Sequence, residues 1–328
     1  MLAGGKTVNW RGFARTKAVA AVVAALATFG ATRPVAAEVV YDPPAGSRWI
    51  VDTEVRGEET RPEGSTTSLV KTRNELTVEQ KTPDGFRVSW VQRGATVEGN
   101  GRSVPLQRAY AGVLENVVIR VRTDLSGKPL RIDNLDEARA AMRRSADAVA
   151  PQFADMPARG ALFDQLMSEL TEVSAERAAS VYVNALALLA TAQNTGMKPH
   201  EFRLTSRPAE NPLGGDALKS NERFELTEAD AAGRLTFINV TSIDAADMNA
   251  FMQSFARGLL AASGDSVTPE RVSLLVRSMV FSFDKRAEFE VRDGMTRRVS
   301  EKSTTTFRGM EQNITQTEAR TIVVTPAP

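Results

Sequence analysis

From Arg48 onward, apolar and polar positions alternate one for one. Trp49, Val51, Thr53 and Val55 interleave with Ile50, Asp52 and Glu54, which is the period of a strand with one buried face. A polar turn at 57–64 leads into a second alternating run from Leu69 to Gln80. Pro83-Asp84-Gly85 reads as a turn, because proline presets φ and glycine accepts a positive φ. Phe86, Val88 and Trp90 resume the alternation, and Val117, Ile119 and Val121 form another strand. A turn at Gly127 then leads to Leu130 and Ile132. Residues 48–133 are therefore expected to form an antiparallel meander of long strands.

The period then lengthens. Asn134-Leu135-Asp136-Glu137 has the form of a helix cap with a reciprocal acid three residues on. Ala138, Ala141, Met142, Ser145 and Val149 follow at helical spacing until Pro151. A second helix carries Leu162, Phe163, Leu166, Met167 and Leu170. A third is expected as one piece from about Ser174 to Asn194. Between 178 and 192 its polar residues are only Ser180, Asn184 and Thr191, so it lies in a core or lines something apolar.

Alternation returns with a short strand over 200–205, a loop through Pro208, Pro212, Gly214 and Gly215, and two strands around Gly233. A helix starting at Asp244 presents Met248, Phe251, Met252, Phe255 and Leu259 at i, i+3, i+4 spacing. Thr268-Pro269-Glu270 begins another, with Thr as cap, Pro at the first helical position and an acid near the positive end. Val272, Leu275, Val276 and Met279 give its buried face. Runs over 280–292, 294–308 and 310–325 finish as strands rich in Thr, Arg and Glu. The order of hairpin at Gly127, helices and strand near 200 is echoed by hairpin at Gly233, helices and strand near 280. Two pseudo-repeated halves, about 46–206 and 219–325, and two ordinary hairpin-plus-helix units are both compatible with this pattern.

The first 37 residues are a different kind of sequence. Lys6, Arg11, Arg15 and Lys17 precede an uncharged, mostly apolar run from Ala18 to Ala31. Val35-Ala36-Ala37 then places small residues before Glu38. This is the order of a secretory signal peptide, cut after Ala37, and the run is short of the ~20 residues of a spanning helix. The chain has 41 Lys+Arg and 40 Asp+Glu. Loss of the leader removes five basic and no acidic residues, leaving 38–328 mildly acidic as a single exported domain. Such a domain offers no basic footprint for nucleic acid and contains no transmembrane run. A periplasmic or secreted location is expected.

Zero Cys and one His exclude disulfides, thiolate chemistry and any multi-His metal centre within one chain. His200 stands alone beside Pro199 and reads as an exposed loop residue. Ser68–Lys71 and Ser282–Lys285 match Ser-x-x-Lys, but a strand places i and i+3 on opposite faces. Trp49 and Trp90 fall in alternating strands and read as core rather than sugar platforms. Asp244 and Asp247 read as helix-start acids. No catalytic, cofactor-binding or metal-binding residue is assigned, and no cofactor is expected.

The chain resembles a broad family of exported bacterial proteins with a domain of unknown function. The resemblance rests on Gly46-Ser-Arg-Trp49, the strand–turn–strand around Asp124, Gly127 and Ile132, and the Thr-rich strand 303–307. The outline also resembles the periplasmic lipoprotein carriers, whose fold is an unclosed half-barrel with helices over its concave side. Together these readings predict an α+β protein: one long, strongly curved, half-barrel-like antiparallel sheet with two helical insertions packed on one face. The leading functional expectation is a non-catalytic protein that binds an apolar or lipid-like ligand between sheet and helices. Its candidate lining residues are Val181, Leu186, Leu189, Met248, Phe251, Met252 and Phe255, since Met and Phe make adaptable apolar surfaces. The alternatives are an envelope scaffold with a solid core and a protein partner, and a hydrolase of unrecognised type.

Overall fold

The computed structural model describes residues 40–101, 103–209, 218–263, 267–309 and 312–328. The expected leader, its cut after Ala37, and the loop residues Pro212, Gly214 and Gly215 lie outside the described residues. Among those described, eleven antiparallel strands form one sheet and seven α-helices accompany it.

The first three strands are the expected meander: β1 (Arg48–Arg61), β2 (Gly64–Thr82) and β3 (Gly85–Gly99). Helix α1 (Val104–Leu114) separates them from β4 (Val118–Thr123) and β5 (Pro129–Ile132). Four helices follow: α2 (Leu135–Val149), α3 (Pro157–Thr171), α4 (Ala175–Tyr182) and α5 (Asn184–Ala190). The sheet resumes with β6 (Phe202–Ala209), β7 (Leu218–Ala229) and β8 (Leu235–Ile243). Helices α6 (Ala245–Ser263) and α7 (Pro269–Ser278) precede β9 (Val280–Arg292), β10 (Met295–Gly309) and β11 (Gln312–Pro326).

The strand order is β5-β4-β3-β2-β1-β11-β10-β9-β8-β7-β6. The chain thus starts at the middle of the sheet and winds outward to β5. It crosses by α2–α5 to the opposite edge and winds back until β11 pairs with β1, from Trp49↔Pro326 to Thr60↔Thr315.

The expected strong, half-barrel-like curvature is corrected: the sheet is open and not strongly curled. The central pairs explain this. β1–β2, β1–β11 and β10–β11 run without a register shift, and irregularities occur only in pairs further out, such as β2–β3 and β7–β8. Bulges are what bend long strands sharply, and the centre has none.

Two turns are built alike. The carboxylate of Asp124 accepts from the N–H groups of Ser126 (2.8 Å) and Lys128 (3.0 Å), with Gly127 at φ 79°. Asp230 does the same for Ala232 (3.0 Å) and Arg234 (2.9 Å), with Gly233 at φ 77°. In each, the short acid side chain replaces a missing backbone partner and glycine supplies the left-handed residue.

The helices depart from expectation in three places. α1 was not anticipated. The helix expected over 174–194 is broken at Val183 (φ −129°, ψ 41°), which lets α4 meet β5 while α5 turns to β10. The Asn134 side chain makes no cap bond to α2. It accepts from Arg120 N–H (2.8 Å) and donates to Val118 C=O (2.9 Å), clamping the helix start to β4. Thr268 caps α7 as expected, accepting from Arg271 N–H at 3.3 Å.

Candidate functional site

The register defines which residues share a face. On β10, Val299, Glu301, Ser303, Thr305 and Phe307 point one way, and their partners on neighbouring strands point with them. Val299 belongs to the large apolar cluster that takes in α1–α5, including Phe86, Trp90, Met142, Phe163, Leu189 and Phe289. Phe307 belongs to a separate cluster with Met252, Ala256, Val272 and Met279. Both helical groups therefore cover the same, inner face. They contact β10 eight residues apart, about 27 Å along an extended strand.

Between the two clusters the inner face becomes polar. One row across the sheet reads Val55, Arg320, Glu301, Ala287, Asn239, Phe224. The next reads Gly57, Glu318, Ser303, Lys285, Thr241, Glu222. A third contains Glu59, Gln316, Thr305 and Phe283. Part of this belt is withdrawn from water: Glu301 is only 8% exposed and Ser303, Thr305 and Thr241 are at 6%, whereas Lys285, Arg320, Glu59 and Glu318 are half-buried.

Several of its charged groups are partnered. Lys285 Nζ lies 2.5 Å from Glu301 Oε2 as a diagonal neighbour across β9–β10. Arg320 meets Glu318 at 3.2 Å, and Gln316 donates to Glu59 at 2.6 Å. Beside the paired groups, Asn239 Oδ1 and Thr53 Oγ1 are buried without a hydrogen-bond partner. Unsatisfied acceptors of this kind are uncommon in packed interiors.

The α5 end of the large cluster is fixed by polar contacts. Thr296 Oγ1 donates to Leu189 C=O (2.7 Å), and Thr296 N–H donates to Gln193 Oε1 (3.1 Å). The same Gln193 amide donates to Ser126 C=O at 2.7 Å. At the other end, Asp244 caps α6 by accepting from the N–H groups of Ala246 (3.0 Å) and Asp247 (3.3 Å), which holds its carboxyl below the usual aspartate value.

The expected lining residues fall into two groups. Leu186 and Leu189 are buried in the large cluster, with Val181 packed against it. Met252 is buried in the small cluster, with Met248, Phe251 and Phe255 packed beside it. The Phe251 and Phe255 rings stack at 6.0 Å, and Phe255 meets Phe307 edge-on at 6.3 Å. The structure does not gather the seven into one cluster. Missing from that set is the belt. Its signal lies in β10, where apolar Val299 and Phe307 bracket three polar residues on the same phase.

The other constellations dissolve. Ser68 and Lys71 lie on opposite faces of β2, as do Ser282 and Lys285 on β9. His200 is exposed at φ 65°, and Trp49 and Trp90 are buried. Among the described residues, no three His, Cys, Asp or Glu side chains are grouped as metal ligands. No helix among them is long and apolar enough to cross a membrane. On the outer face an open groove of about 810 Å³ runs over β1–β3 and β10–β11. Its charges neutralise one another, as where Arg73 holds both oxygens of Asp52 at 2.8 and 3.0 Å.

No family model and no curated protein matches the chain. Among solved structures it is similar to one of lipovitellin that reports lipid–protein interactions, at 7% identity and a TM-score of 0.37. The match covers 87% of this chain and spans 26% of the other.

Proposed function

We propose that this is a non-catalytic exported protein that holds an apolar or lipid-like ligand between the sheet and its helices. One observation carries the reading: a partly buried, charged belt separates two apolar clusters on a single sheet face. A solid core gains little from such a belt, because burying an ion pair costs about as much as its attraction returns. An amphiphile has use for both parts. Its chain fits the Met and Phe surface of α6, and its polar head fits the donors and acceptors of Lys285, Arg320, Ser303 and Asn239. Export rests on the basic, apolar and small-residue order of the first 37 positions.

The test is native mass spectrometry of protein made with its own leader and purified from the cell envelope. The expected spectrum shows the chain from Glu38 carrying a lipid-sized adduct. The double substitution Lys285→Met with Glu301→Leu replaces a pair of one buried acid and one half-buried lysine by apolar groups, a change that is often neutral for folding. It is expected to stay folded by circular dichroism and to lose the adduct. Wild-type protein that is free of adduct and takes up nothing from phospholipid vesicles would overturn the proposal. In that event the scaffold reading, which the well-packed large cluster favours, takes its place.

A further inference from the structure

The two edges of the sheet are not alike. β5 has four residues, opens with Pro129 and has α4 packed against it. Short length, proline and a covering helix are the ordinary ways of blocking an edge. β6 has eight residues, and every side chain from Phe202 to Pro208 is exposed. Leu204 is 70% and Phe202 50% exposed, both on the outer face. Among the described residues only β7 pairs with this strand, and an edge that offers N–H and C=O groups beside apolar side chains is a template for another strand.

We propose that β6 pairs antiparallel with β6 of a second copy of this chain, joining two sheets edge to edge. A twofold axis perpendicular to the sheet keeps outer residues opposite outer residues, so the registers to compare are those centred on one residue. Centring on Arg203 sets Arg203 against itself, and centring on Thr205 sets Arg203 against Arg207. Like charges directly opposite are unfavourable. Centring on Ser206 brings Pro208, which has no N–H, opposite Leu204. Centring on Leu204 sets Glu201 opposite Arg207 twice, Phe202 opposite Ser206 twice, and Leu204 against Leu204 at the axis. Centring on Phe202 also opposes Glu201 and Arg203, but β6 begins at Phe202, so only that one residue would be paired within the strand, and centring on Arg207 sets Arg207 against itself. Strand overlap and charge complementarity together select the register centred on Leu204. Because β5 is blocked, each chain has one usable edge and assembly stops at two copies instead of growing into a filament.

The absence of cysteine from the chain makes the register directly readable. Directly opposed residues of an antiparallel pair have Cα atoms about 4.5–5.5 Å apart, inside the range a disulfide spans. Leu204→Cys in the mature protein is expected to oxidise to a covalent dimer. Phe202→Cys is expected to remain uncrosslinked, because its counterpart lies four residues along the partner strand, roughly 13 Å away. In sedimentation, wild-type protein is expected at twice the chain mass. Leu204→Lys is expected at the single-chain mass with an unchanged circular dichroism spectrum. A wild-type protein that sediments as a monomer overturns the proposal. So does a Leu204→Lys variant that stays dimeric, or a crosslink that forms through residue 202 and not through 204. These masses are read with or without bound ligand, so the outcome stands apart from the ligand-binding proposal.

Discussion

Glycine at a positive φ means different things at different positions. Gly233 has φ 77°, and a Cβ there would meet nothing within 4 Å. Gly85, the first residue of β3, has φ 149°, and a Cβ would fall 2.0 Å from Thr123 C=O on β4. Gly233→Ala therefore carries only left-handed strain, about 1–2 kcal/mol. Gly85→Ala must also push apart the backbone that joins β3 to β4, and its cost is expected to exceed ~4 kcal/mol. Urea denaturation of the two variants checks the ordering. The turn at 83–85 is legible in the sequence, because proline and glycine act locally. The close approach of Thr123 is not, because it depends on strand pairing decided thirty-eight positions away. Asn134 teaches the same lesson: its position before a helical run suggested a cap, and tertiary partners on β4 took its side chain instead.

At the scale of the element, the strands were legible because one wet and one dry face impose period two. α1 was hidden for a physical reason. It is buried on two sides, with Leu106, Ala109 and Val113 in the large cluster and Val104 and Ala111 in a third one. The sum of the two stripes imitates alternation. The inner belt was hidden by the converse effect, since polar residues at period two read as a solvated face. α6 shows a cap that the sequence announced and whose energetics can be tested. The N–H groups of Asp247 and Ala246 hold the Asp244 carboxyl below its usual value. A depressed acid stabilises the fold above its ordinary titration range, and that contribution is lost as pH falls through the folded value. Thermal melts are expected to weaken below about pH 4. Asp244→Asn keeps an acceptor but cannot titrate, so its melting temperature should fall less steeply over that range.

For the whole molecule, the decisive feature is the seam where β11 lies between β1 and β10. The large cluster draws on both sides of it, with Val51 from β1, Ile322 from β11 and Val299 from β10 all at 0% exposure. Deleting residues 312–328 removes a central strand, not an end. It would leave β1 and β10 as long, facing edges over an uncovered core. The shortened chain is expected to lose cooperative thermal unfolding and to aggregate, measured by circular dichroism and light scattering. A soluble, cooperatively melting product would show that the sheet divides into two independent halves.

The seam also sets an order of events. β1 precedes the other ten described strands, yet it finds its second neighbour only when β11 has been made. Until then the two halves of the sheet cannot join, and contacts this distant in sequence close slowly. The wait leaves the free edge of β1 open to aggregation until β11 covers it, so a holding factor that binds β1 would have to release it to β11.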